Sequence, residues 1–502
     1  MHLPAKLKNN LTVFLLYSIC VSLFFFPILN NQFLSDDYDS LYRILIEKRI
    51  LLHEEFFRPL MDISFLFNYF ISGLHPWSCY LINLMLHLSC GFMLYKLASR
   101  FLLFDGDRQW LFAFLSGLLF LIYPFHSEGV AWLTGRLSSI ATLCALVALY
   151  WSMNITHQWR YFCAGAIVFF IALLGYESII LLPLIIFVWN FRMQRPRNKL
   201  IQLLIAWLAV VVLCLIVRRV FSTTLTGDYG SRLFTNVFSL EELLKIIKVT
   251  GRIFLPPVAN TKLATIFFIA GLAIFIAIQF ILFKKKYSDK YKVQLYACLL
   301  LSFIISIALP CAFGISTKTS AGDRLLYFPS AFFCMILAFY LLKWARGISL
   351  WVFMLGIGGY FAYFLVMNTM HWEKASQVVK NLLLTAASSQ QQEQVFINIP
   401  GDFEGAFVFA NGFKKALVIH GIDTTKVHVA GTLSRELYEQ LPPVLHPQHN
   451  GDTITIMPGY KVYKKGNSVI IDNNLSKKMW SITGKPAIHY WNKQELKELV
   501  LP

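Results

Sequence analysis

Charge is scarce in this chain of 502 residues: Asp, Glu, Lys and Arg make up 14% of it, against 57% hydrophobic residues. A soluble domain carries roughly a quarter charged residues, so an ordinary water-soluble enzyme is excluded and lipid is the expected solvent for much of the chain. Acidic residues are scarcer still, 27 Asp+Glu against 45 Lys+Arg. Cysteine is sparse too. The nine cysteines all lie in or beside apolar runs, none follows Cys334, and no two are spaced Cys-x-x-Cys. That excludes a secreted disulfide framework and a Cys-based zinc site and leaves the cysteines as small apolar residues. No internal repeat and no low-complexity linker occurs, which speaks against a transporter built from duplicated halves.

What is present is a series of apolar runs, near 11–29, 79–97, 110–125, 137–153, 161–174, 179–191, 200–217, 262–283, 293–313, 325–342 and 348–368. Runs of this length suit a hydrocarbon core of about 30 Å, and they predict a polytopic α-helical membrane protein of about 11 spans. The first, behind Lys6 and Lys8, resembles a signal peptide without a small-residue cleavage site and is read as a retained anchor. With the N-terminus inside, the inner loops hold Arg100 and Arg108, Arg160, Arg192 to Lys199, Lys284 to Lys286, and Lys343 with Arg346. Each is basic, as the positive-inside rule requires. Gly175-Tyr176-Glu177-Ser178 interrupts one long apolar stretch and is read as an outer hairpin turn.

From His371 to Pro502 the composition changes: 14 Lys+Arg face 11 Asp+Glu, a net +3 of the total +18. The remaining +15 belongs to residues 1–370 and suits loops that touch anionic head groups, with no nucleic-acid module in sight. The two expected domains are thus a multi-span catalytic domain, 1–370, and a small α/β domain, 371–502, on the outer side. Apolar segments bounded by turn signals place strands at Val395 to Ile399, Val427 to Ala430, Thr453 to Met457, Lys461 to Tyr463 and Ser468 to Asp472, with a helical stretch near Gly405 to His420.

The outer loops hold the residues that could carry chemistry. Asp36, Asp37 and Asp39 follow the first span directly. One acid suffices to cap a helix, and three within four residues suit a base and its partners. Arg58, Arg136 and Arg324 each stand at the start of an apolar helix. A cation there opposes the macrodipole at about 0.3 to 1 kcal/mol, whereas an anion held by helix N–H groups and guanidinium forks would repay it. A lipid phosphate lies at that depth. Snorkelling, or pairing of Arg58 with Asp62 and Arg324 with Asp323, is the competing account. Arg218, Arg219, Arg232 and Arg252 are second-rank candidates for the same phosphate. His126 and Glu128, two residues apart, would share a face on a strand. With an Asp they could hold a divalent ion, but a hydrogen-bonding or capping role is preferred, so no metal ligand and no cofactor is assigned.

Four pieces carry a resemblance: Ser35-Asp36-Asp37-Tyr38, Phe57-Arg58-Pro59-Leu60, Tyr123-Pro124-Phe125-His126-Ser127-Glu128-Gly129-Val130-Ala131-Trp132 with Gly135-Arg136, and Asp323-Arg324-Leu325-Leu326-Tyr327-Phe328-Pro329-Ser330. In order and position they resemble the GT-C superfamily, specifically the transmembrane O-mannosyltransferases with tetratricopeptide repeats and their bacterial relatives. The resemblance spans most of 30–345. It implies a GT-C-like membrane glycosyltransferase with a catalytic first-loop acid, matched by Asp36 or Asp37. It further implies a polyprenyl-phosphate sugar donor, inverting displacement and a lipid phosphate as leaving group; the residues expected to meet that phosphate are Arg58, Arg136, Arg324 and Tyr327. Glu177 is taken as a site acid and His126 and Glu128 as orienters. Two departures stand out: the family's Lys-Glu is Tyr176-Glu177 here, and no tetratricopeptide pattern is present. The expected partners are the lipid-borne donor, membrane lipid and an acceptor protein or glycan, in the inner membrane with the C-terminal domain periplasmic. The rivals are an oligosaccharide polymerase or ligase using a lipid diphosphate, a lipid or solute transporter, and a scaffold acting through its C-terminal domain. The parity is testable: a lone cysteine at Ser468 should react with an impermeant thiol reagent in intact cells and one at Asn198 should not, and the reverse pattern would turn the topology over.

Overall fold

The computed structural model describes residues 9–49, 57–153, 159–192, 197–222, 240–258, 261–284, 290–388, 392–433, 440–442, 444–475 and 477–501. Its helices run in chain order as α1 (Asn10–Phe25), α2 (Asp36–Leu45), α3 (Pro59–Ser72), α4 (Trp77–Ser99), α5 (Asp107–Leu121), α6 (Ser127–Ala131), α7 (Arg136–Ser152) and α8 (Trp159–Gly175). They continue as α9 (Leu182–Arg192), α10 (Arg197–Phe221), α11 (Leu240–Arg252), α12 (Thr261–Lys284), α13 (Lys290–Phe313), α14 (Tyr327–Trp344), α15 (Ile348–Ser388) and α16 (Phe413–Ile419). The residues form two compact units. The first comprises Met1–Leu29, Ile50–Gly73 and Trp77–Thr369, and the second Asn30–Arg49, Leu74–Pro76 and Met370–Pro502. The first outer loop, expected within the 1–370 domain, is thus grouped through Asn30–Arg49 with the C-terminal residues.

The chain is a multi-pass membrane protein. Each of the eleven expected spans is a helix, but among the described residues seven are long and apolar enough to cross a membrane, or eight if one bent pair is a single span. That pair is α5 with Pro124–Ala131, bent by 50°. The cause is local: Pro124 pushes Tyr123 out of the helical region to ψ 123°, and the helix cannot continue. The helices α7 and α8 are apolar but shorter, and α9 has 11 residues.

Within the first unit α14 is central, with 89% of its apolar window buried, against 22% for α10 and 17% for α12. The outer helices turn large apolar side chains outward, such as Phe280 at 66% exposure and Leu355 at 75%, as expected where lipid replaces water. Small residues let α4 and α5 approach closely: a Cβ on Gly117 would lie 2.6 Å from the Gly91 carbonyl oxygen and run into the Tyr17 ring. The Tyr17 hydroxyl closes the same junction by donating to the Phe114 carbonyl at 2.6 Å.

In the second unit Gln394–Phe396 lies between Ala487–Trp491 and Val427–Val429, parallel to both, and Leu496–Glu498 pairs antiparallel with Ala487–Trp491. A five-stranded antiparallel meander follows the order Lys478–Thr483, Ser468–Asn473, Tyr460–Lys465, Thr453–Met457, Gln448–Asn450. Helix α16 packs on α2, where Tyr38 is buried against Phe409 with ring centroids 5.8 Å apart. The expected helical stretch near 405–420 is shorter in the structure, because Gly412 at φ +83° starts α16 only at Phe413.

Because the α4–α5 contact has no room for a side chain, Gly117→Val should cost about 1 to 3 kcal/mol through overpacking. It should lower the thermal midpoint of the detergent-solubilised protein, whereas Gly356→Ala, where a Cβ meets nothing within 4 Å, should leave it nearly unchanged.

Candidate functional site

Glu177 stands where α8 has ended at Gly175 and the chain turns toward α9: Tyr176 is extended at φ −153°, ψ 133°, and Glu177–Ile179 forms one 3-10 turn. Its carboxylate accepts from Arg218 Nη1 at 2.6 Å and from Arg58 Nη2 at 3.2 Å. Arg218, near the end of α10, is buried and also donates to the Leu173 carbonyl at 3.2 Å. Arg58 is the N-cap residue of α3, ahead of Pro59. Burial would raise the Glu177 pKa, but the two guanidiniums outweigh it and hold it down at about 2.

A second pair stands nearby. Glu128, fully enclosed on the short helix α6, accepts the backbone N–H of Arg324 at 2.8 Å with one oxygen and pairs with the Arg324 guanidinium through the other. The Arg324 guanidinium lies 5.2 Å from the Trp132 ring, and that of Arg58 lies 5.1 Å from the Tyr176 ring. Tyr176 joins the two pairs: burial raises its pKa while the fields of Arg324 and Arg58 oppose that, and Glu177 and Glu128 act on the same hydroxyl. Glu177 thus meets Arg58 and Arg218, Glu128 meets Arg324, and the Tyr176 phenol stands in the field of Arg58, Arg324 and both carboxylates. The side chains of Arg58, Arg324 and Glu177 remain 19%, 21% and 27% exposed, so a ligand can reach them.

The other expected site residues of this unit face inward. Arg136 opens α7, as expected, but it is fully buried, donating to Asn68 Oδ1 at 2.6 Å and the Cys79 carbonyl at 3.2 Å. It ties α3, α4 and α7 together and has no exposed donor to offer a phosphate. Tyr327 is also buried, with its hydroxyl 2.6 Å from His87 Nδ1. His126 stacks on Tyr327 at 4.2 Å and shares a hydrogen bond with Ser330 Oγ at 2.7 Å. On a strand His126 and Glu128 would share a face, but the segment is a 3-10 turn followed by a helix. Two residues there differ by roughly 200° in direction, so the two side chains serve different partners. Among the described residues no group of three His, Cys, Asp or Glu could hold a metal ion.

Arg252, a second-rank candidate, is buried and occupied: Nη2 meets Asp323 Oδ1 at 2.5 Å, and Nε and Nη1 donate to the Ser316 and Leu255 carbonyls. Asp323 is therefore paired with Arg252, where the competing account had set it against Arg324. Arg232 lies outside the described residues.

The first-loop acids belong to the second unit. Asp37 is buried, its Oδ2 accepting the Leu34 N–H, just ahead of the helix, at 3.0 Å. Asp36 is partly exposed and Oδ1 accepts from Ser35 Oγ and Asn411 Nδ2, each at 3.2 Å. Ser35 holds φ +43°, ψ −112°, a conformation that costs a non-glycine residue about 1 to 3 kcal/mol. Its N–H donates to the Val408 carbonyl at 2.9 Å, and its Oγ accepts the Asn411 N–H at 3.3 Å. Asn411 and His87 escaped the sequence reading. His87 had a signal, a histidine amid the apolar run of α4, whereas Asn411 sits in an ordinary Asn-Gly turn and had none.

No family model matches the chain. It is similar to protein O-mannosyl-transferase TMTC2 of Mus musculus, 38% identical over 93 residues, or 18% of this chain and 10% of that protein. The Homo sapiens TMTC2 is 41% identical over 93 residues with the same shares, and Drosophila melanogaster Tmtc3 is 32% identical over 108 residues, 18% of this chain and 12% of that protein. The chain therefore spans about a tenth of the length of the curated relatives it matches. Among solved structures, ArnT from Cupriavidus metallidurans bound to undecaprenyl phosphate aligns with a TM-score of 0.43 and 12% identity, over 84% of this chain and 89% of that one.

Glu177 makes the site pH-sensitive. Its pKa lies below the ordinary 4.5, so the ionised group stabilises the fold at neutral pH and that contribution is lost as pH falls from about 4.5 toward 2. Glu177→Gln should lower the thermal midpoint at about pH 7, and its deficit against the wild type should shrink in acid as the wild-type carboxylate gains its proton. A deficit of constant size would show that the ion pairs do not set the effect.

Proposed function

We propose that the protein is a GT-C-type membrane glycosyltransferase that takes a sugar from a polyprenyl-phosphate donor, with the donor phosphate held by Arg58 and Arg324. The observation that carries this reading is the pair of partly exposed guanidiniums, held by Glu177 and Glu128, that both act on the Tyr176 hydroxyl. Each arginine is oriented before a ligand arrives, so little rotamer entropy remains to be lost on binding. A phosphate that has lost its sugar carries one more negative charge than the donor, and the guanidiniums of Arg58 and Arg324 would meet that charge as it grows. Stabilisation therefore grows toward the transition state. Similarity to the O-mannosyl-transferases, though confined to a short stretch, supports the same class and makes mannose the first sugar to try.

In this reading a carboxylate takes the proton of the acceptor hydroxyl and the oxygen bonds to the anomeric carbon. The bond from that carbon to the phosphate oxygen breaks, and the lipid phosphate leaves with the electron pair. Of the first-loop acids, Asp36 is the better base, since Asp37 is enclosed and engaged with the Leu34 N–H. Glu177 does not suit that role, because a carboxylate with a pKa of about 2 is a weak base. It positions Arg58 and Arg218 instead. Arg136 and Tyr327 hold the helices behind the cluster, and His126 steadies Tyr327. The acceptor, a protein or a glycan, meets the enzyme at the outer membrane face, and the protein resides in the inner membrane with its C-terminal residues periplasmic.

Purified protein offered a panel of polyprenyl-phosphate sugars beside a lipid-diphosphate sugar should release free lipid phosphate from a monophosphate donor; turnover of the diphosphate alone would favour a polymerase or ligase. Asp36→Asn should lower turnover by about 10²- to 10⁴-fold without loss of folded protein. Arg58→Lys and Arg324→Lys should each reduce turnover more than stability, and the double variant should lose less than the two single losses combined, as expected of two groups on one phosphate. Independent, small effects would mean that the arginines do not share a ligand.

A further inference from the structure

Arg192 ends α9, the helix whose other end follows Glu177, and a second cation-lined recess opens there. A cavity of about 470 Å³ lies among the ends of α4, α7 and α9 and the start of α13. Arg100 and Arg192 provide its cations, and Phe101, Trp189, Tyr291 and Leu295 much of its apolar wall. The arginines differ from those around Tyr176 in what they hold. The Arg192 guanidinium packs on the Tyr291 ring at 4.3 Å and makes one long contact, 3.5 Å, to the Tyr291 carbonyl. Its Nε is buried with no hydrogen-bond partner, and no carboxylate lies within 4 Å of its nitrogens among the described residues. Arg100 is held over the Tyr150 ring at 3.8 Å and donates to the Tyr150 hydroxyl at 2.7 Å.

An arginine oriented by an aromatic face at the rim of an apolar bundle, with no counter-ion among the described residues, is poised for an anion. The aromatic and aliphatic wall adds a requirement that free phosphate does not meet, namely apolar surface next to the charge. Basic recesses between spanning helices take the head groups of anionic lipids for this reason. We propose that this cavity binds the phosphate head group of a membrane lipid, with Arg192 and Arg100 on the phosphate and the first methylenes against Trp189 and Phe101. The inference stands independently of the transfer reaction. With the expected orientation, the site lies on the inner face, at the opposite end of α9 from the Glu177 cluster.

The test uses the full chain. Native mass spectrometry of the detergent-solubilised protein should show one phosphatidylglycerol retained where phosphatidylcholine is lost, and Arg192→Gln should weaken retention about fivefold or more, the effect of one arginine beside an anionic lipid. Cys298 also lines the cavity, so residue-resolved alkylation of the wild-type protein gives a readout that needs no variant. Phosphatidylglycerol should slow alkylation at Cys298 several-fold, and competition by a polyprenyl phosphate would identify which lipid phosphate the site prefers. Equal retention in Arg192→Gln, equal protection by phosphatidylcholine, or equal protection by inorganic phosphate alone would overturn the proposal. If Arg192→Gln fails to fold, Arg192→Lys, which keeps the charge but loses the fork, and the alkylation of the wild type decide the matter.

Discussion

The first unit depends on the Glu177 carboxylate held between Arg58 and Arg218. An unpaired charge at the rim of an apolar bundle is costly, and breaking a buried pair costs several kcal/mol because it strands the partner. This one carboxylate therefore requires the start of α3, the end of α10 and the turn ahead of α9 to meet at a point. The same requirement recurs between Glu128 and Arg324 and between Asp323 and Arg252. Each pair links helix ends far apart in the chain, by 196 residues for the Glu128 pair, so the ion pairs select one arrangement among the many that apolar packing alone would permit.

Packing supplies the rest of the constraint. Lipid solvates an apolar side chain about as well as a protein core does, so hydrophobicity by itself gives these helices little reason to associate. Close approach does, as where Gly91 and Gly117 bring α4 and α5 together and where α14 is enclosed on nearly all sides. Polar ties complete it: Arg136 to Asn68 and Cys79, and Tyr327 to His87. At the Glu177 cluster the arginines are paired and oriented, whereas at the α9 terminus Arg192 is oriented by an aromatic ring and has no acid beside it among the described residues. The first arrangement suits a ligand whose charge changes during a reaction, and the second suits a resident anion.

The second unit stores a different device. Ser35 is held in a strained backbone conformation by the Val408 carbonyl and the Asn411 N–H, and Asp36 stays partly exposed while Asp37 turns in to the Leu34 N–H. Adjacent acids of the same chemistry thus receive different environments. The Asp-Asp pattern singled out both residues and carried no information about which would be enclosed, because the difference comes from Val408 and Asn411, more than 370 residues later in the chain.

The sequence by itself determined the membrane character, the helical segments, the change of composition near residue 370 and the placement of Arg58, Arg136 and Arg324 at helix starts, because each follows from local composition or local backbone chemistry, whereas the span expected at 110–125 ran across the break at Pro124. It also located several strands, but passed over Ala487–Trp491, whose five residues are all buried and show no alternation to read. Tertiary structure alone decided the charge partners: Arg324 took Glu128 and left its neighbour Asp323 to Arg252, and Arg136 was drawn wholly inside. Which carboxylate a guanidinium meets is set by the meeting of helix ends in space, and no spacing along the chain records it.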